Sequence, residues 1–392
     1  MPPCIPVIGP GAKGLGGSPP ARALWFHTPE TPMPAALDNL PPLPADLFVI
    51  DAVVHALNLD PANIASRYGE QLWQMSYGLH CMMTPPDRHV PQATYMTDMA
   101  PETLVRTMFE ESATRMVATH TLTLDSWFKD GFAARHKTEA MVRGWPSRVL
   151  GYVGVDPSGE KNAVLDDLEA QVAALPSAVG VKLYPHQMDP YRPWRTDGEV
   201  ASAVIARAQA LGLKSVAIHK ALPNGSVPLA PYRIGEAFET AADNFPGMAF
   251  EIVPSGMAFI EETALAISRF PNVYANLETT TALLWQAPGR FEAALALLMQ
   301  WGGPEKLLWG TGCTVTPPQH LIELMWAFAF SAQTQDRHGI PPTTDAAKRM
   351  ILGENYSRML GLTTATLAAA QAGDAFDTGA PLKAPWSIWT AA

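Results

Sequence analysis

From residue 47 onward, short runs of apolar residues alternate with longer segments whose apolar positions recur every three or four residues. Short continuous runs suit buried strands and the three-to-four spacing suits one face of a helix, so the alternation predicts βα units around a parallel sheet. Eight strands are predicted: LFVIDAVVHA (47–56), RMVATHTL (115–122), RVLGYVGVDP (148–157), VGVKLYP (179–185), KSVAIHK (214–220), MAFEIVP (248–254), NVYANLE (272–278) and LLWGTGC (307–313). Between them, PETLVRTMFEESATR, AVLDDLEAQVAAL, GEVASAVIARAQALG, RIGEAFETAADNF, IEETALAISRF and ALLWQAPGRFEAALALLMQW are predicted helices, several with acidic residues near the start, where they suit the helix dipole. Eight units, with no Gly-rich dinucleotide fingerprint after the first strand, predict a (β/α)8 TIM barrel over residues 46–365 rather than an open doubly wound sheet. The segment TTDAAKRMILGENYSRMLGL would close it, with residues 366–392 as a C-terminal tail.

Two stretches break the regular spacing. Residues 1–45 hold twelve of the chain's 37 prolines together with many glycines, a composition that cannot build a regular core, so an extended or disordered arm is expected there. The arm lacks the charged start and continuous apolar core of a signal peptide. The connection from Leu57 to Ala100 is long, and on the C-terminal face of a barrel such a connection would act as a lid, a dimer surface or plain packing.

Charge and composition narrow the partners. Over 392 residues the formal net charge is −10, and the basic residues are scattered, which leaves no footprint for nucleic acid. No stretch reaches the roughly 18 apolar residues that a membrane span needs. Three cysteines, Cys4, Cys81 and Cys313, lie far apart with no CxxC pair, so no disulfide framework is expected and a reducing cytoplasm suits the chain.

Catalytic groups of a barrel come from strand ends on its C-terminal face. In strand order these positions hold Asp51 and His55, His120, Asp156, Lys182 with Tyr184 and His186, His219 and Lys220, Glu251 and Ser255, Glu278, and Thr311 with Cys313. So many polar groups exceed what folding requires and predict a polar pocket. Asp51 and His55 are four residues apart, a spacing that puts both on one face of a regular strand, with a buried anchor nearer the bottom of the barrel as the alternative role for Asp51. Lys182 lies among apolar strand residues, so it must face a polar lumen or pair with an acid. His219, Lys182, Glu278 and Glu251 are the expected catalytic groups; Tyr184, His120, His186, Ser255 and Cys313 are the expected substrate contacts. Cys313 could be a soft metal ligand or a nucleophile, but no spacing motif supports either, and a small buried hydrophobe is the expected state.

The stretches IDAVVH (50–55), VDP (155–157), VGVKLYP, AIHK (217–220), FEIVPSGMAF (250–259), NVYANLE, LLWGTGC and the closing ILGENYSRMLGL resemble the amidohydrolase superfamily, in particular its branch related to aminocarboxymuconate-semialdehyde decarboxylase. The resemblance runs from about Phe48 to Leu362. It implies a metal site built from a His-x-His pair on the first strand, histidines on the fifth and sixth, and an aspartate on the eighth, which together activate a water. Here His55 matches the second histidine of the pair and His219 the fifth-strand histidine, but Val53, Pro254 and Gly312 stand where the other three belong and cannot ligate. A divalent metal such as zinc or manganese at His55 and His219 would need a further ligand from Glu278, Glu251, Cys313 or His80.

The function expected from these readings is hydrolysis of a small carbonyl compound, such as an amide, lactone or related ring, by activated water. Two alternatives stand beside it: non-oxidative decarboxylation or lysis of a small carboxylic acid, which the resemblance implies, and a catalytically inactive barrel that binds a small ligand. A homodimer is expected by analogy with related barrels.

Overall fold

The structure, a computed structural model, describes residues 40–391. The arm expected over residues 1–45 therefore lies almost wholly outside the described residues. All eight predicted strands form: β1 (Val49–Val54), β2 (Thr114–His120), β3 (Val149–Gly154), β4 (Ala178–Leu183), β5 (Ser215–His219), β6 (Ala249–Val253), β7 (Val273–Asn276) and β8 (Leu307–Leu308). Each is parallel to its sequence neighbour, in the order β1 to β8. The segment after β8 closes the ring on β1: Ala52 N–H donates to Trp309 O (2.9 Å), Gly312 N–H to Val53 O (3.1 Å) and His55 N–H to Cys313 O (2.8 Å). The chain thus folds as a TIM barrel with helices packed outside the sheet.

Two details of β1 and β8 differ from the predicted pattern. Regular β8 is only two residues long; beyond it the chain still bonds to β1 and turns at Gly312, whose φ is +65° and whose carbonyl accepts from Val315 N–H at 3.0 Å. In β1 the register shifts between Asp51 and Val54, so the strict alternation expected to put Asp51 and His55 on one face does not hold. Asp51 is a closing anchor, the alternative role expected for it. Its carboxylate accepts from Val53 N–H (3.2 Å), Thr311 N–H (3.0 Å) and Thr311 Oγ1 (2.5 Å), tying β1 to the chain after β8.

Polar side chains also fill the lower barrel interior. Glu251 of β6 accepts from Tyr152 Oη on β3 (2.5 Å), Ser215 Oγ on β5 (2.6 Å) and Asn276 Nδ2 on β7 (2.8 Å). Tyr356, in the helical segment that follows β8, donates to Tyr152 Oη at 2.9 Å. Four strands and the closing segment are therefore joined through one carboxylate, which has lost water on all sides and regains it as three donors.

Outside the barrel, the long connection after β1 carries helix Arg67–Met83, and the residues after 366 pack back on the body. Glu111 accepts from Trp386 N–H (2.7 Å), Ile388 N–H (2.7 Å) and Ser387 Oγ (3.1 Å), which holds Trp386 and Trp389 buried beside Tyr95. No helix among the described residues is long and apolar enough to cross a membrane.

Gly180 of β4 sits against the Tyr152 ring, and a Cβ there would collide with ring carbons held in place by the Glu251 network. Gly180→Ala is expected to destabilise the fold by about 1–3 kcal/mol, the ordinary cost of overpacking a rigid core. A denaturant midpoint indistinguishable from that of the unsubstituted protein would show that the Tyr152 ring can yield.

Candidate active site

At the C-terminal mouth, Lys182, His219 and Glu278 are only 3%, 7% and 8% exposed, so the site is narrow and mostly dry. Lys182 makes no hydrogen bond or ion pair with any described residue. Its ammonium lies 5.8 Å above the Tyr184 ring centroid, and unlike His120 Nδ1 it is not among the atoms sealed without a partner. Burial pulls its pKa from the ordinary lysine value down to about 8, against the opposing fields of Glu278 and Glu251.

Three imidazoles face this cation and all are neutral. His55 Nδ1 donates to His120 O (3.3 Å), His120 Nε2 to Ala52 O (3.0 Å) and His219 Nε2 to Leu222 O (2.7 Å). A carbonyl can only accept, so each bond fixes the tautomer and leaves the other ring nitrogen as a lone pair. Burial, reinforced by Lys182, lowers the pKa of His55 to about 3 and pushes those of His120 and His219 well below the usual range. His219 lies flat against Tyr184 (4.5 Å between centroids, 11° between planes), and His120 flat against Tyr152 (4.0 Å, 15°).

Glu278 follows β7, and its carboxylate accepts from Thr279 Oγ1 at 2.6 Å. Burial raises its pKa above the usual carboxylate range, with Lys182 pulling the other way. Its backbone is strained: Thr279, a β-branched residue, has φ 58°, and Thr280 N–H donates back to Glu278 O at 2.5 Å. The end of β5 repeats the device. Ala221 has φ 59°, Leu222 N–H donates to Lys220 O at 2.7 Å, and the resulting tight turn presents Leu222 O to His219.

Gly312 explains where the expected eighth-strand acid has gone. Its φ is +65°, and a Cβ built there would strike Glu278 Oε1 and lie 3.2 Å from Glu278 Cδ. The carboxylate of Glu278 already fills the space that a side chain at 312 would occupy.

The remaining expected site residues are placed less favourably. Glu251 is fully buried and spends its oxygens on the network below the mouth, and Ser255 is fully buried with its hydroxyl donating to Ile252 O (2.8 Å). Cys313 is fully buried, and burial raises its thiol pKa well above the ordinary value, the state of a small hydrophobe rather than a nucleophile. His186 bonds through Nε2 to Tyr232 Oη (3.0 Å) at the small hairpin of His186–Gln187 and Arg192–Pro193, and Lys220 Nζ donates to Pro231 O (2.8 Å). Tyr232, whose ring meets both His186 and His219 edge-on, and Tyr152 belong to the site surroundings and were not among the expected residues. Both are ordinary-looking tyrosines in the sequence, and only their contacts give them a role.

His80, offered as a spare metal ligand, must be withdrawn. Its Nδ1 donates to Val315 O (2.8 Å) and its Nε2 accepts from Val90 N–H (3.0 Å), so neither nitrogen is free. Among the described residues no group of three or more His, Cys, Asp or Glu side chains is placed to hold a metal ion. Together with Val53, Pro254 and Gly312 at the ligand positions and the Lys182 charge amid the surviving donors, the residues present do not fit the divalent metal that the fold family implies. Two clefts, of about 290 and 370 Å³, lie beneath β6 and β7 and beside Arg106 and Lys383, away from these side chains.

The family model described as amidohydrolase matches residues 50–362. The chain belongs to the amidohydrolase family. Among solved structures, an uncharacterized TIM-barrel protein from Bordetella bronchiseptica is 14% identical, with a TM-score of 0.56 over 80% of this chain and 99% of that one. 5-Carboxyvanillate decarboxylase from Sphingomonas paucimobilis is 15% identical, with a TM-score of 0.48 over 81% and 100%. A probable 2-pyrone-4,6-dicarboxylic acid hydrolase from Acinetobacter baumannii is 13% identical, with a TM-score of 0.45 over 80% and 99%. At these identities the likeness shows the fold alone. No curated protein matches the chain.

If Glu278 occupies the 312 site, Gly312→Ala should cost about 2–4 kcal/mol in the native background, from strain at positive φ plus the clash. In a Glu278→Ala background the clash is gone, and the penalty should fall by at least about 1 kcal/mol. Urea midpoints of the four proteins measure both values, and an equal penalty in the two backgrounds would remove Glu278 from that space.

Proposed function

We propose that this amidohydrolase-family chain hydrolyses a small carbonyl compound, an amide, lactone or related ring, with protein groups in the roles that a metal centre holds elsewhere in the superfamily. The observation that carries the reading is the Glu278 carboxylate in the space beside Gly312, with the buried Lys182 cation within its electrostatic reach. Lys182 holds the oxyanion that forms as water adds to the carbonyl carbon. A buried charge with no competing hydrogen bond is worth far more there than in water.

Glu278 is the base. A carboxyl whose pKa is raised by burial takes the proton of the attacking water more readily than an ordinary one, and then returns it to the leaving group. His219 is too weakly basic for that step, because burial and Lys182 disfavour its protonated form. Its Nδ1 lone pair instead accepts a hydrogen bond from the water and orients it, while Tyr184 and His219 form a flat wall that fits a small planar ring.

Decarboxylation is the second reading, favoured by the unpartnered Lys182: a carboxylate drawn into a dry site loses its hydration before it loses carbon dioxide. The products separate the two. A panel of small lactones, amides and aromatic or oxo acids, followed for acid release and for carbon dioxide, tests both. With a hydrolysed substrate in hand, Glu278→Gln and Lys182→Met should each lower kcat/KM by about 100-fold or more.

The pH profile carries the sign of each shift. Activity should rise as Glu278 ionises, above the ordinary carboxylate range, and fall as Lys182 loses its proton near pH 8. A profile flat from pH 7 to 10 would take Lys182 out of the reaction. Binding without turnover of any panel member, lost in Lys182→Met, would make the barrel a ligand-binding protein.

A further inference from the structure

The mouth contains one group that hydrolysis uses only as a charge. Among the described residues Lys182 is the strand-end amine without a hydrogen-bond partner, whereas the neighbouring buried lysine, Lys220, donates to Pro231 O at 2.8 Å. An unpaired amine at a strand end, lying over an aromatic ring and within electrostatic reach of a buried acid, has the groups that carbonyl capture requires. We infer that Lys182 also captures small ketones, 3-oxo acids in particular, as an imine, with Glu278 as the acid that completes the capture. The inference does not rest on the hydrolytic reading, because it needs only the amine and the acid.

The chemistry closes on the groups present. The neutral Nζ attacks the carbonyl carbon, and the oxygen takes the proton of the Glu278 carboxyl to give a carbinolamine. Transfer of a nitrogen proton to Glu278 and on to the hydroxyl expels water and leaves the iminium. In a 3-oxo acid the bond to the carboxylate carbon then breaks, its electron pair moves into the iminium to form an enamine, and carbon dioxide leaves. Protonation of the enamine carbon and addition of water release the ketone and return the amine. No oxidant, reductant or metal enters.

The surroundings favour the neutral amine that the first step needs. Glu278, Glu251, His55, His120 and His219 are the titratable groups that face or act on Lys182, and Tyr184 packs beneath it. All three imidazoles are uncharged, so none donates positive charge, and burial outweighs the two carboxylates to bring Lys182 to about 8. At pH 7 its neutral fraction exceeds that of an ordinary lysine on the order of 100-fold. The burial of Lys182, His219 and Glu278 and the flat Tyr184–His219 wall suit a small carbonyl compound.

The test is reductive trapping of the full chain with acetoacetate and sodium cyanoborohydride at pH 7, followed by peptide mapping, with acetone release measured in parallel without the reductant. The expected result is a reduced adduct, with or without its carboxyl group, on Lys182 well in excess of every other lysine, Lys220 included. The N-terminal amine reads out on a separate peptide. Glu278→Gln should slow adduct formation at Lys182 by tenfold or more while leaving surface lysines unchanged, a difference that a purely structural role would not produce. Adducts confined to surface lysines, or none, would overturn the inference, and because the map is made on the unsubstituted protein that outcome does not depend on a variant's folding. Loss of the adduct with lactone hydrolysis intact would overturn imine capture alone; a Lys182 adduct with no hydrolysis of the panel would overturn the hydrolytic reading alone.

Discussion

An ammonium group without a hydrogen-bond partner is held inside a barrel mouth by geometry, and together with the burial around it that charge sets the state of its neighbours. Burying Lys182 in that position is costly, and the cost is offset in part by two carboxylates that act at a distance rather than by contact. Burial, reinforced by the same charge, disfavours protonation of His55, His120 and His219, and His120 Nδ1 is sealed from the mouth, which leaves one cation, one carboxyl whose proton is easily kept, and the lone pairs of His55 and His219. Whatever reaction occurs there must use that set.

The set stays in place because the barrel below it is polar and fully bonded. Glu251 gathers donors from β3, β5 and β7, and Tyr356 joins the closing segment to the same network. Above it, strain at Ala221 and Thr279 fixes His219 and Glu278. Strained residues persist only where the surroundings over-determine them, so these two turns mark the positions on which the site depends.

Much of this was legible in the chain. The alternation of apolar runs and helical periods announced all eight strands, and Lys182, His55, His219 and Glu278 stood out because strand ends put polar groups where a core would not. What could not be read was which polar groups are spent on one another. Glu251 and Ser255 look like site residues in sequence, yet they bond to strands distant in the chain, and only three-dimensional register reveals it. His80 looked available until both its nitrogens were found engaged. The shift in β1 defeated a simple parity argument for Asp51, because one extra residue reverses the facing of all that follow. Gly312 showed a missing acid; that a glutamate from the adjacent strand fills its place is a contact no spacing encodes.

The central claim is that the amidohydrolase mouth has been rebuilt around a lysine cation and a displaced carboxylate, with donors that do not form a metal site. Elemental mass spectrometry of the purified protein, loaded with excess zinc and manganese and then desalted, tests it most directly when paired with a His55→Ala, His219→Ala double variant. The account predicts far less than one equivalent of either metal in both proteins. Near-stoichiometric metal that disappears in the double variant would contradict it, and would return the site to the metal chemistry of its family.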